Sequence, residues 1–217
     1  MRKLSLLVML AVCATLARAA DPNSAIVPVQ PVAAAAPANP ALHGPNEFSF
    51  WAGATANEPN IIALTGDRRV SIVGLRYGRR LYQGRLFAVT YTFDLLPAVV
   101  VSQPRNVLGK DTTGHELIYG AGFSPLGFRF DLRPRHRVQP FVGFSGGGVG
   151  FTRPAPFSDA AKFNFLAALD CGVQVFQHSG HALTFGYKLH HISNAARVRD
   201  NPGIDSNMFY TAFSFFK

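Results

Sequence analysis

From Asn46 to the C-terminus, bulky apolar side chains recur at every second position, and this alternation dictates the fold. Phe87, Val89, Tyr91, Phe93 and Leu95 fall on one face of an extended chain, with Ala88, Thr90, Thr92 and Asp94 on the other. Leu126, Phe128, Phe130 and Leu132 oppose Gly127, Arg129 and Asp131. Phe163, Phe165, Ala167, Leu169, Cys171, Val173 and Val175 oppose Asn164, Asp170, Gly172 and Gln174, and Phe185, Tyr187 and Leu189 oppose Thr184, Gly186 and Lys188. A two-residue period belongs to strands with two unlike faces. Eight such segments are expected, at 46–55, 69–80, 85–97, 116–132, 136–152, 162–177, 181–194 and 206–216. No amphipathic helix and no internal repeat accompanies them.

The connections alternate in length. Short ones fall near 81–84, 133–135 and 178–180; long ones span 56–68, 98–115, 153–161 and 195–205. Short turns on one side, long loops on the other and an even strand number are the pattern of an outer-membrane barrel. The segments reach the roughly 9–11 residues that a tilted strand needs to cross a bilayer. A soluble eight-stranded barrel, lipocalin-like, competes, but it turns its apolar face inward. Here the apolar faces are aromatic, and many opposite-face residues are Gly, Ala, Ser or Thr. Small residues inside and aromatics outside fit a membrane. The expected fold is therefore all-β: an eight-stranded antiparallel transmembrane β-barrel of the outer membrane. Trp51 and several tyrosines are expected in an interfacial girdle.

The N-terminus agrees with export. Arg2 and Lys3 precede an apolar run from Leu4 to Ala17, and Ala17-Arg18-Ala19 is a small-x-small cleavage site. Residues 1–19 thus read as a signal peptide cleaved near Ala19. Its three basic residues take the formal charge from +9 to 9 − 3 = +6 in the mature chain. An exported chain meets anionic lipid headgroups rather than nucleic acid. Residues 20–45 hold six of the 15 prolines, so they read as an extended Pro/Ala-rich linker before a barrel at 46–217. With Cys13 in the leader, Cys171 is alone in the mature chain and forms no intramolecular disulfide.

Chemistry concentrates near the C-terminus, in His190-His191-Ile192-Ser193-Asn194 and Asn201-Pro202-Gly203-Ile204-Asp205. His191 and Ser193 share a strand face, about 6.6 Å apart along the chain. The loop 195–205 brings Asp205 back beside them. An acid, a base and a hydroxyl in that order form a nucleophile–base–orienter set. By parity all three point outward, towards lipid, where polar groups are costly without a task. By composition alone, a His-x-Ser at a strand end is more often an ordinary rim feature. His190 and His191 face opposite sides and make a poor metal pair. Gly146-Gly147-Gly148 lacks the Lys-Ser/Thr of a phosphate loop, and close packing or curvature accounts for it better.

His191-Ile192-Ser193-Asn194-Ala195 followed by Asn201-Pro202-Gly203-Ile204-Asp205-Ser206 resembles the signature of the outer-membrane lipid A 3-O-deacylases, also known as acyloxyacyl hydrolases. The motif covers about sixteen residues; outside it, the likeness is general to small outer-membrane barrels. The resemblance implies an esterase that removes the 3-O-linked acyl chain of lipid A. It makes Ser193 the nucleophile, His191 the general base and Asp205 the orienting acid, where the best-known members have Glu. Asn201 falls where the family has an oxyanion-hole Asn, and Asn194 would support the local turn. Arg197 and Arg199 are candidates to hold lipid A phosphates. No metal and no cofactor is required. The implied partners are lipopolysaccharide as substrate and the surrounding outer-membrane lipids of a Gram-negative bacterium, with no nucleic acid; whether protomers pair as a homodimer stays open. The competing reading is a non-catalytic small barrel with a structural or adhesion role.

Overall fold

The computed structural model describes residues 44–59, 61–107, 110–157, 160–177, 180–197 and 203–217. The signal-peptide expectation, and the linker up to residue 43, lie outside the described residues. Eight strands follow in chain order: β1 (Asn46–Asn57), β2 (Arg69–Gln83), β3 (Phe87–Val107), β4 (Lys110–Leu132), β5 (Val138–Phe151), β6 (Phe163–Phe176), β7 (His181–Ser193) and β8 (Ile204–Phe216). Each pairs antiparallel with the next, and β8 closes on β1, so no strand edge is bare.

The faces follow the alternation. Phe50, Phe144, Phe165, Phe185, Phe209 and Phe215 are all exposed, between 41% and 63%. In water such a belt would far exceed the apolar patch a soluble protein tolerates; in lipid it is solvated. The candidate soluble architecture is thereby set aside.

Three expectations are corrected. Within the expected long loop 98–115, residues 98–107 and 110–115 are strand: β3 and β4 run on through them as a pair, with Val101 opposite Ile118 and Val107 opposite Lys110. At 21 and 23 residues these strands outreach any bilayer. Their polar stretch around Gln103 and Glu116 obscures the alternation, while the backbone pairing continues past register shifts between Leu96 and Val99 and between Pro104 and Asn106.

Trp51 is not a girdle residue. It is 3% exposed inside the barrel, where its indole N–H donates to Asp94 Oδ1 at 3.2 Å. A buried indole needs such an acceptor. Gly74, paired with Trp51 across β1–β2, makes room: a Cβ there would sit 2.2 Å from Trp51 Nε1. The interior is also not mainly small. Arg76 pairs with Asp94 at 2.7 Å, Lys188 with Asp170 at 3.1 Å, and Arg129 with both Glu47 (2.7 Å) and Asp131 (2.6 Å). Charges there survive because each has an opposite partner and hydrogen bonds.

At the end of the barrel reached by the C-terminus of β7, the connections interlock. Glu116 on the long hairpin meets Arg153 at 2.9 Å, His115 meets Asp67 at 3.1 Å, and the Arg68 guanidinium lies 4.8 Å from the Phe157 ring. This end carries the candidate site.

Candidate active site on the outer face of strands β7 and β8

The β7–β8 register sets His191 opposite Asp205, one pair above His190 opposite Ser206. His191 and Asp205 therefore share the outer face, and His190 turns inward, where it is 4% exposed. Asp205 Oδ1 lies 2.6 Å from His191 Nδ1. An Nδ1–H donated to that carboxylate leaves Nε2 as the basic nitrogen.

Asp205 is not open to lipid as parity alone suggests. It is 2% exposed, because the β1–β2 connection folds down over it. The amides of Ile61, Ile62 and Ala63 all donate to Asp205 Oδ2, at 2.7, 2.7 and 2.9 Å. One carboxylate oxygen is thus saturated by three consecutive backbone N–H groups, and the other faces the imidazole. The Thr65 hydroxyl donates to the Gly203 carbonyl and ties the same connection to the start of β8.

Ser193 sits two residues beyond His191 on the same face, half-buried and paired with Phe165 of β6. His191 and Ser193 make no hydrogen bond in this structure, so imidazole and acid are assembled while the hydroxyl is adjacent. Hydrogen bonds to a nucleophile are often loose until substrate binds. Just past Ser193 the chain turns sharply. Ala195 and Ala196 both hold positive φ, 53° and 59°, and the Arg197 amide donates to the Asn194 carbonyl at 3.2 Å. Two non-glycine residues in this region cost about 1–2 kcal/mol each. Such strain is typical of a functional segment. The exposed Arg197 guanidinium lies 5.9 Å from the rings of Phe163 and Phe165. Asn201 and Arg199 lie outside the described residues.

Gly203 completes the site. Its φ is +66°, and a Cβ there would stand 3.0 Å from His191 Cε1. Gly203→Ala therefore strains the backbone and presses the imidazole by a few tenths of an ångström from its seat against Asp205. Small misplacements of a catalytic group cost up to about 10²-fold. The expected result is a rate loss of at least about tenfold in a barrel that still shows heat-modifiable migration. An unchanged rate would mean that the imidazole does not need this packing.

A cavity of about 420 Å³ opens beside the pair, lined by Ile61, Ile62, Phe144, Ala167, Leu169, Leu189, His191 and Asp205. Its walls are almost wholly apolar, and its polar end is the His191–Asp205 pair. The sequence did not reveal Ile61, Ile62, Ala63 or Thr65 as parts of the site. Backbone donors leave no mark in residue type, so nothing in the sequence of this connection singles them out.

Comparison with known proteins bears on this geometry. The family model described as Lipid A 3-O-deacylase (PagL) matches residues 73–214, about two-thirds of the chain. No curated protein matches significantly. Among solved structures, the outer membrane enzyme PagL is similar at 18% identity and a TM-score of 0.52, covering 78% of this chain and 98% of that one. Neisserial surface protein A aligns at 14% identity and a TM-score of 0.45, over 78% of this chain and 95% of that one.

Proposed function

The chain belongs to the lipid A 3-O-deacylase family, an outer-membrane barrel family of ester hydrolases, and from that premise we propose that it cleaves the 3-O-linked acyl chain by a Ser-His-Asp mechanism. The 2.6 Å contact between His191 Nδ1 and Asp205 Oδ1, at the polar end of an apolar cavity on the lipid face, is the observation that carries this reading.

In the proposed reaction His191 Nε2 takes the Ser193 proton as Oγ attacks the ester carbonyl. Asp205 holds the ring in the productive tautomer and stabilises the imidazolium. Collapse of the tetrahedral intermediate passes the proton to the departing sugar hydroxyl and leaves an acyl-serine. His191 then activates water, which releases the 3-hydroxy fatty acid and restores Ser193. Asn201 would donate to the oxyanion. Asp205 is one methylene shorter than the Glu of the best-known members; the covering amides offset this by fixing it close to the ring. The acyl chain would lie in the cavity along Leu189 and Leu169, already inside the apolar phase.

Mass spectrometry of lipid A from a Gram-negative host expressing the full chain tests the activity directly. Loss of one 3-linked hydroxyacyl mass is expected. Unchanged lipid A despite a folded barrel in the outer membrane would exclude this substrate in favour of the structural reading.

Arg197 and Arg199 are proposed to hold lipid A phosphates. Arg197 is exposed on the loop that follows Ser193, where headgroups lie. Arg197→Ala with Arg199→Ala is expected to raise KM for the bis-phosphorylated substrate several-fold. It should matter little for a dephosphorylated one. Equal behaviour towards both would remove the assignment.

A further inference from the structure

The β1–β2 connection does two things at once. Its backbone holds the acid, through three amides on Asp205 Oδ2 at 2.7–2.9 Å. Its side chains wall the cavity that opens at His191, through Ile61 and Ile62. Ala63, between these roles, is 1% exposed, whereas Ile62 and Leu64 are 68% and 79% exposed. The connection is pinned at its far end by the Thr65 hydroxyl on the Gly203 carbonyl and by Arg68, whose guanidinium lies 4.8 Å from the Phe157 ring. The wall therefore cannot shift without moving the carboxylate.

We propose that residues 61–65 select the acyl chain and position Asp205 in one step: the chain seats against Ile61 and Ile62, and the same backbone keeps the acid on His191. The inference rests on the esterase reading and deepens it. A chain long enough to cover both isoleucines buries apolar surface and keeps water from the His191–Asp205 pair. A short chain leaves the wall unfilled, with Ile62 still exposed. Chain-length preference then lies in this connection as well as in the strands that floor the cavity. Thr65 is a positioning residue, acting on the acid through Gly203 and the shared loop.

The test uses the full-length protein in detergent micelles and two alkyl fluorophosphonates, one short-chained and one long-chained. Ser193 Oγ would attack their phosphorus and displace fluoride to solvent, its proton passing to His191, so labelling reports triad and groove without assuming lipid A as the substrate. Lipid A deacylation is followed in parallel. Ile61→Ala with Ile62→Ala keeps every backbone amide. It is expected to lower the long-to-short labelling ratio at least about tenfold, the lower end of what a single methylene discriminates in an apolar pocket. The Ile→Val pair should fall between. Thr65→Val is expected to slow labelling by both probes several-fold with the ratio unchanged, and Thr65→Ser to restore the rate.

An unaltered ratio in the alanine pair, or Thr65→Val changing the ratio rather than the rate, would overturn the proposal. Wild type that labels with a long-chain preference but leaves lipid A intact would overturn only the substrate assignment. Wild type that never labels would overturn both.

Discussion

Replacing Ser193 by alanine is expected to abolish deacylation while leaving the barrel intact. Ser193 is half-buried on the outer face at the end of β7, and among the described residues its side chain makes no buried hydrogen bond whose loss would destabilise the fold. Its truncation should cost little stability, since surface changes of this kind stay within about 0.5 kcal/mol. The chemical effect is of another order. Without the oxygen there is no acyl-enzyme, and the remaining imidazole and oxyanion donors can only assist water, so the rate should fall at least about 10³-fold. The readout is the lipid A mass spectrum beside the heat-modifiable gel shift. Wild type should lose one 3-linked hydroxyacyl mass; Ser193→Ala should not, at equal levels of folded protein. Full activity in the alanine variant would take the nucleophile away from Ser193 and leave His191–Asp205 as a base for direct attack by water.

The separation between chemistry and fold in that experiment reflects what the chain makes legible. Alternation fixes which face each residue occupies, because a strand has only two. That is why Asp94, Arg129, Asp131, Asp170 and Lys188 were placed opposite the aromatic face and are buried in the lumen. It is also why His191, Ser193 and Asp205 were placed together on the outside. Alternation says nothing about partners across the lumen, which depend on shear and closure. Arg129 on β4 reaching Glu47 on β1, at a separation of 82 residues, has no local signature. Trp51 was misplaced for a related reason: an indole fits a girdle or a polar lumen equally well. Its fate turned on Gly74, a cross-strand neighbour that only the register reveals. The outer part of the β3–β4 hairpin reads as a loop in the sequence because its strands outreach the bilayer, and water on both faces imposes no alternation there. Most consequential, the cover over Asp205 is made of main-chain amides, which no residue pattern encodes.

The lumenal pairing predicts the largest effect on stability. Arg129 is 5% exposed and bridges two carboxylates: Nη2 to Glu47 Oε2 at 2.7 Å and Nε to Asp131 Oδ1 at 2.6 Å. Glu47 also takes hydrogen bonds from Ser49 (3.0 Å), Gln174 (3.0 Å) and Ser214 (2.8 Å), and Asp131 takes one from Thr90 (3.0 Å). Arg129→Met preserves much of the side-chain length but leaves two buried carboxylates without their ion-pair partner. Breaking a buried pair from one side costs about 3–5 kcal/mol, and here two acids lose their cation. The expected result is a large fall in the urea midpoint of the detergent-folded barrel, at the upper end of that range. Adding Glu47→Gln should return part of the loss, about 0.5–3 kcal/mol of coupling, because the amide needs no cation and Asp131 keeps Thr90. Phe213→Leu, on the lipid face, should cost less than about 1.5 kcal/mol. If Arg129→Met unfolds no earlier than Phe213→Leu, the lumenal network is not what holds the barrel closed. If Glu47→Gln fails to relieve it, the unpaired carboxylate is not the cause of the loss.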